Sequence, residues 1–293
     1  MKDDTLEIAQ RNAKSYEYYR DGFAVSDRPL VDPDTIAKLR DHCVRVLNGQ
    51  YETGRPPRSN TGGPEIEKHP PYIEASYPQD SDKTIAEFLR YPTLGPWVAK
   101  QTNAARVQIN YLLATKKYPT ADRKTRVGWH QDRRYLDAFF RSGSSANLWI
   151  ALDEVSLDCG PISFVRGSHL WNKAYSSSFF DHDVDKEDFE IPEGKEWEVV
   201  RAALPAGWAT LHGPATIHGS ERCVGSRPRL GIVITVGLSS PGHNLNIDPN
   251  HYWGSRVNDT AACPVIYESD SEYAPAPAAS YQYDLRSTVG AAT

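Results

Sequence analysis

The chain has no cysteine pair at CxxC spacing, no apolar run of membrane-spanning length and no excess of basic charge. Each absence removes a class of function. Cys43, Cys159, Cys223 and Cys263 are scattered, so a zinc ribbon or a thioredoxin-like motif has no support, and they read as ordinary thiols of a reducing compartment. The opening MKDDTLEIAQRNAKSYEYY lacks the apolar core of a signal peptide, and the closing STVGAAT carries no retention, peroxisomal or prenylation signal. The expectation is a cytoplasmic protein with no membrane partner. Lys and Arg number 33 against 38 acids, a formal charge of −5, which argues against a nucleic-acid partner. It leaves room for a small anionic ligand, which needs only one or two placed cations. No internal repeat or low-complexity block is present.

What is there begins helical. Asp32-Pro33 offers an N-cap followed by proline at the first helical position. Ile36, Leu39, Cys43 and Val46 then recur at helical spacing, and Gly49 stops the helix. GFAVSD, just before, reads as a short strand. Residues 52–72 are rich in Pro and Gly and read as a long loop, solvated or acting as a lid, which carries Arg55, Arg58 and Lys68. From 104 onward the texture changes. ARVQINYLLA, SANLWIALDEV, PISFVRG, EWEVVRAAL, GWATLHG and RLGIVITVGL are short, β-branched or aromatic, and bounded by turn formers. They stand too close together for helices between them. The fold class is therefore mainly β with α additions, a sandwich or jelly roll supported by N-terminal helices. The polar insertion around DHDVDKED lacks the glycine and closing Glu of a calcium loop and reads as solvated acid.

One stretch asks for an explanation: VGWHQDRRY, residues 127–135. On a strand, residues two apart share a face, so His130 and Asp132 can reach into one site while Gln131 turns away. Two imidazoles and one carboxylate with open positions suit non-haem iron(II). A lone His-x-acid motif arises by chance in a chain this size, so a third ligand is needed. GWATLHGPATIHGSE offers two, His212 and His218. Eleven residues beyond His218, Arg229 leads into an apolar strand, a costly place for a guanidinium unless an anion pairs with it. Arg227 has the same strand parity.

Taken together, these segments resemble the phytanoyl-CoA dioxygenase-like family of iron(II)- and 2-oxoglutarate-dependent oxygenases. YRDGFAV, WHQD, CGPISFVRGSHLW, PAGWATLHGPATIHGS and SRPRLGIVI match family segments in the family's order across most of the chain. The resemblance implies a double-stranded β-helix, in a single domain over residues 1–293. Within it, 1–100 would be helical support and lid loop, 101–240 the jelly-roll core and 241–293 a C-terminal extension. It implies Fe(2+) held by His130, Asp132 and His218, with family order favouring His218 over His212. It implies 2-oxoglutarate bound by Arg229 rather than Arg227, with Ser220, Trp149, Gln108 and Thr115 lining the cosubstrate pocket, and O2 as co-reactant. His169 in RGSH is expected to be structural.

The activity implied is oxidation of a small organic substrate in specialised metabolism, by hydroxylation, desaturation or ring rearrangement, with release of succinate and CO2. The carboxylate of Asp132 argues against a halogenase, where halide takes that place. Arg55, Arg58, Lys68, Arg133 and Tyr135 are the candidate substrate contacts, and NHYWGSRVND is a candidate homodimer contact. The rival readings are a cupin-type metal enzyme that uses no 2-oxoglutarate and a metal-binding barrel without catalysis.

Overall fold

A computed structural model gives the fold and describes residues 4–63, 71–120, 126–133, 140–142, 144–173, 175, 183–239, 246–247 and 256–270. The helices are α1 (Thr5–Ser15), α2 (Tyr18–Asp21), α3 (Pro33–Leu47), α4 (Lys83–Phe88) and α5 (Leu94–Thr102). The strands before the first site residue are β1 (Phe23–Val25), β2 (Ser59–Asn60), β3 (Tyr72–Ser76), β4 (Arg106–Lys117) and β5 (Val127–His130). After it come β6 (Phe140–Ser142), β7 (Ser144–Ala151), β8 (Ile162–Val165), β9 (Val199–Arg201) and β10 (Ala209–His212). The last are β11 (His218–Ser220), β12 (Arg229–Ser239), β13 (Asn246–Ile247) and β14 (Val265–Glu268).

α3 forms as its sequence dictates. The Asp32 carboxylate accepts from the Thr35 amide at 2.9 Å, Pro33 opens the helix, and Gly49 sits past its end at φ +78°. Its stripe Ile36, Leu39, Cys43, Val46 and Leu47 is buried. It packs with α4 and α5 on alternate residues of β4 and β12, making a core on the outer face of the larger sheet.

That sheet runs β1-β10-β7-β12-β4-β3-β2, with β14 also on β4. The smaller sheet runs β5-β11-β8-β9, and every strand pair is antiparallel. The inner faces meet through Phe23, Val25, Trp149 and Ala151 on one side and Ile162, Phe164 and Val200 on the other. The Phe23 and Phe164 rings stack at 4.5 Å. The outer face of the smaller sheet is covered by Trp171 and Phe189, packed against Trp129, Val165 and Ile217. The expected mainly-β architecture is present. Residues before 101 do more than support it, because β1, β2 and β3 are strands of the larger sheet. The stretch read as one loop over 52–72 contains β2 and opens β3. No described helix is long and apolar enough to cross a membrane.

Candidate metal and anion site

β5 ends at His130, and Asp132 lies past it in a turn. The pair therefore meets because the chain bends, and not through strand alternation. Asp132 Oδ1 stands 3.4 Å from His130 Nε2. His218 opens β11 directly across the ladder from His130, and its Nε2 lies 3.4 Å from Asp132 Oδ2. One ligand atom from each of His130, Asp132 and His218 falls within 4.8 Å of the others, close enough to hold one metal ion. Gln131 is turned away, its amide donating to the Ala215 carbonyl at 2.7 Å.

The orientation of the imidazoles is set by the backbone. Nδ1 of His130 donates to the Gly128 carbonyl at 2.8 Å and Nδ1 of His218 to the Thr216 carbonyl at 2.9 Å. Each ring then turns its Nε2 to the centre. Burial pushes His218 well below the ordinary histidine range, so its ring is neutral. The Asp132 carboxylate is further fixed from the larger sheet. Asn147 Nδ2 donates to Oδ2, and Thr235 Oγ1 donates to Asn147 Oδ1 at 2.6 Å. His212 Nε2 is 3.3 Å from the same Oδ2, so His212 meets the carboxylate without belonging to the three-residue group. Two imidazoles anchored through Nδ1 and one braced carboxylate suit iron(II).

Arg229, at the start of β12, is 4 % exposed. Its Nη1 donates to the Gly160 carbonyl at 2.6 Å, while Nε is buried without a hydrogen-bond partner. Among the described residues no carboxylate pairs with it. The guanidinium lies 5.4 Å from the Trp149 ring centre. Trp149 in turn packs against Gly231, where a Cβ would come within 2.3 Å of the indole, so only glycine permits this packing. Trp149 stands two residues from Asn147 on β7, so one inner face carries both the metal-side brace and the guanidinium's neighbour. A buried guanidinium with an orphaned donor fits a carboxylate ligand.

The remaining expected residues are distributed as follows. Arg227 is exposed and pairs with Glu154 at 4.0 Å, so the buried guanidinium is that of Arg229. Ser220 Oγ accepts from Lys117 Nζ at 2.6 Å, and Thr115 Oγ1 donates to the Gly231 carbonyl at 3.3 Å. Gln108 shares the inner face with Thr115 although seven residues separate them. A bulge in the β4–β12 ladder, between Thr235 and Val236, shifts the alternation by one. The Gln108 amide is spent on the Val257 and Cys263 carbonyls at 2.9 and 3.1 Å. Arg55 and Arg58 are exposed, with Arg58 5.8 Å from the Tyr77 ring centre. Arg133 is buried beside Asp132, its amide donating to the Pro214 carbonyl at 2.8 Å. His169 bonds the Tyr19 carbonyl at 2.9 Å, away from the cluster. Lys68, Tyr135 and most of NHYWGSRVND lie outside the described residues.

Sequence reasoning passed over Asn147, Thr235 and Lys117. The signal was there as parity: Asn147 shares a face with Trp149, Thr235 with Arg229, and Lys117 with Thr115.

With this geometry in place, the chain was compared with known proteins. The family model described as phytanoyl-CoA dioxygenase matches residues 18–231. No curated protein sequence matches the chain. Among solved structures, the non-haem alpha-ketoglutarate-dependent carbocyclase SnoK from nogalamycin biosynthesis is 17% identical at a TM-score of 0.58, over 91% of this chain and 96% of that one. The alpha-ketoglutarate-dependent epimerase SnoN, also from nogalamycin biosynthesis, is 19% identical at 0.57, over 79% and 83%. EvdO2 from Micromonospora carbonacea var. aurantiaca, complexed with 2-oxoglutarate, is 20% identical at 0.56, over 78% and 90%. At such identities the likeness is one of fold.

Proposed function

The chain belongs to the phytanoyl-CoA dioxygenase family, whose members are non-haem iron, 2-oxoglutarate-dependent oxidoreductases, and from that membership we propose a specific reading of its site. His130, Asp132 and His218 hold the iron, Arg229 grips the distal carboxylate of 2-oxoglutarate, and the enzyme oxidises a small organic molecule of specialised metabolism. One observation carries the reading: a two-imidazole, one-carboxylate cluster on the smaller sheet faces, across the space between the sheets, a larger sheet that carries a buried guanidinium with no carboxylate partner among the described residues.

When bound, iron and 2-oxoglutarate supply the activation of O2, with oxidative decarboxylation to succinate and CO2. Everything else is done by the chain. His130 and His218 present lone pairs from rings clamped by backbone carbonyls, so binding costs little reorientation. Asn147 and His212 contact Asp132 Oδ2, which fixes the carboxylate between the two imidazoles that would hold the metal with it. Three protein ligands leave positions open for the cosubstrate and for O2. Arg229 accepts a carboxylate into its unmatched donor edge, and the Trp149 indole beside it excludes water and strengthens the contact. Arg133, next to Asp132, and the exposed Arg55 and Arg58 are the proposed substrate contacts. The specialised-metabolism assignment is supported by the nogalamycin enzymes that share the fold.

The test is anaerobic addition of iron(II) and 2-oxoglutarate to the metal-free protein, followed by visible spectroscopy. The expected result is a weak charge-transfer band that is absent in His218→Ala and in Arg229→Ala. Metal binding without that band would instead support a cupin-type enzyme that does not use 2-oxoglutarate.

A further inference from the structure

Lys117, the last residue of β4, is fully buried. In the ladder it stands directly opposite Arg229 of β12 and, on its other side, opposite Tyr72 of β3. Two cations are thus buried side by side on neighbouring strands. Among the described residues neither forms an ion pair with a carboxylate, because the nearby Glu221 side chain is taken by Arg126 at 3.3 Å. An unpaired buried charge is costly, and two adjacent ones repel, so the pair makes physical sense around an anion. Burial, and then Arg229, pushes Lys117 well below the ordinary lysine range, so the ammonium form is favoured only when an anion lies beside the pair.

The ammonium also acts on a neighbour. Nζ reaches Ser220 Oγ at 2.6 Å, the Glu221 carbonyl at 2.7 Å and the Ser220 carbonyl at 3.4 Å. With an anion beside it Lys117 is an ammonium, whose three hydrogens match these three oxygens and which has no lone pair, so Ser220 Oγ then can only accept from it. The hydroxyl's own hydrogen must then go to another acceptor, and none among the described residues takes it. Ser220 is itself buried, two residues from His218 on β11. Lys117 therefore reaches from the larger sheet to the smaller one and aims a hydroxyl hydrogen into the space between them.

We propose that Lys117 is a positioning and specificity residue. It holds Ser220 so that the hydroxyl donates to the distal carboxylate gripped by Arg229, and the paired cations select a dicarboxylate 2-oxo acid over a monocarboxylate one. This rests on the reading of the site as an iron and 2-oxoglutarate centre.

The experiment titrates the full-length iron(II) protein, anaerobically, with 2-oxoglutarate and with 2-oxopentanoate, which keeps the keto acid and lacks the distal carboxylate. The charge-transfer band reads both affinities without turnover. Lys117→Met is expected to weaken 2-oxoglutarate by on the order of tenfold or more, the loss of a charge-assisted contact, and to leave 2-oxopentanoate unchanged. The Lys117→Met, Ser220→Ala double variant should lose less than the product of the two single losses, because one residue acts through the other. Lys117→Gln keeps an N–H for Ser220 Oγ without the charge. It should give an intermediate loss, and it carries the test if the methionine variant does not fold. An affinity within twofold of wild type in a folded Lys117 variant would overturn the proposal, as would equal weakening of both ligands. Wild-type protein that binds iron but shows no band with 2-oxoglutarate would instead overturn the parent reading, and this inference with it.

Discussion

At the residue scale, the site depends on how one carboxylate is shared. Asp132 offers Oδ1 toward His130 and has Oδ2 held by Asn147 and His212. Residues that orient a ligand matter to metal affinity nearly as much as the ligand does. Asn147→Ala is therefore expected to weaken iron(II) or manganese(II) binding by roughly 10- to 100-fold, read by competition with a chromophoric chelator. The metal-free protein should lose about 2 kcal/mol, because the Asp132 carboxylate loses a donor and Thr235 Oγ1 loses its acceptor. His130, Asp132, His218 and Arg229 were legible in the sequence because each is chemically conspicuous: a titratable or charged side chain in an apolar strand setting. Asn147 and Thr235 were not, because an amide and a hydroxyl on a strand read equally well as surface residues until a partner strand is placed beside them. Lys117 was hidden by Lys116, since two consecutive lysines look like a solvated strand end and only the β4–β12 register shows which of them points inward.

At the element scale, the helices owe their positions to caps that also tie elements together. Asp82 accepts from the Ile85 amide at 3.1 Å to start α4, and its other oxygen meets His42 of α3 at 2.7 Å. The carboxylate is buried, so removing it undoes a cap and an inter-helix tie at once. Asp82→Ala is expected to destabilise the protein by about 2 kcal/mol. A lowered denaturant midpoint at unchanged m-value would register it. α3 could be read from the sequence to its terminal residues, because capping, period and glycine stop all agree. The short pieces β2, β6, β11, β13 and β14 could not. Two to four residues carry no period, and their extended form is imposed by the neighbour they pair with. The bulge between β4 and β12 is a third case. It inverts the face of every residue on one side of it, so alternation counted along β4 alone misassigns Gln108 relative to Thr115.

At the scale of the whole molecule, the candidate metal cluster would act as a rivet between layers. His130 and His218 belong to the smaller sheet, while Asp132 is held by Asn147 and His212 of the larger one. A bound ion therefore couples both sheets, and binding to the folded state alone stabilises it by about 2.7 kcal/mol at a metal concentration of 100 Kd. Manganese(II) is expected to raise the thermal midpoint of the wild type and to leave that of His218→Ala unmoved, as differential scanning fluorimetry would record. Asp21 contributes to the acid limb of stability. Burial would raise the Asp21 carboxyl, but hydrogen bonds from Arg20, Arg166 and the Glu17 amide overcome it and hold it below 3.8. Its contribution is complete above the unfolded-state value and fades as pH falls through the lower folded-state value. The same architecture has a temporal side. β1 pairs with β10 from Phe23 to His212, so the earliest strand waits 212 − 23 = 189 residues for its neighbour. At a synthesis rate of about 5–20 residues per second, that is roughly ten to forty seconds on the ribosome with an unpaired apolar edge. During that interval β1 has no ladder partner, and the space between the two sheets is not yet enclosed.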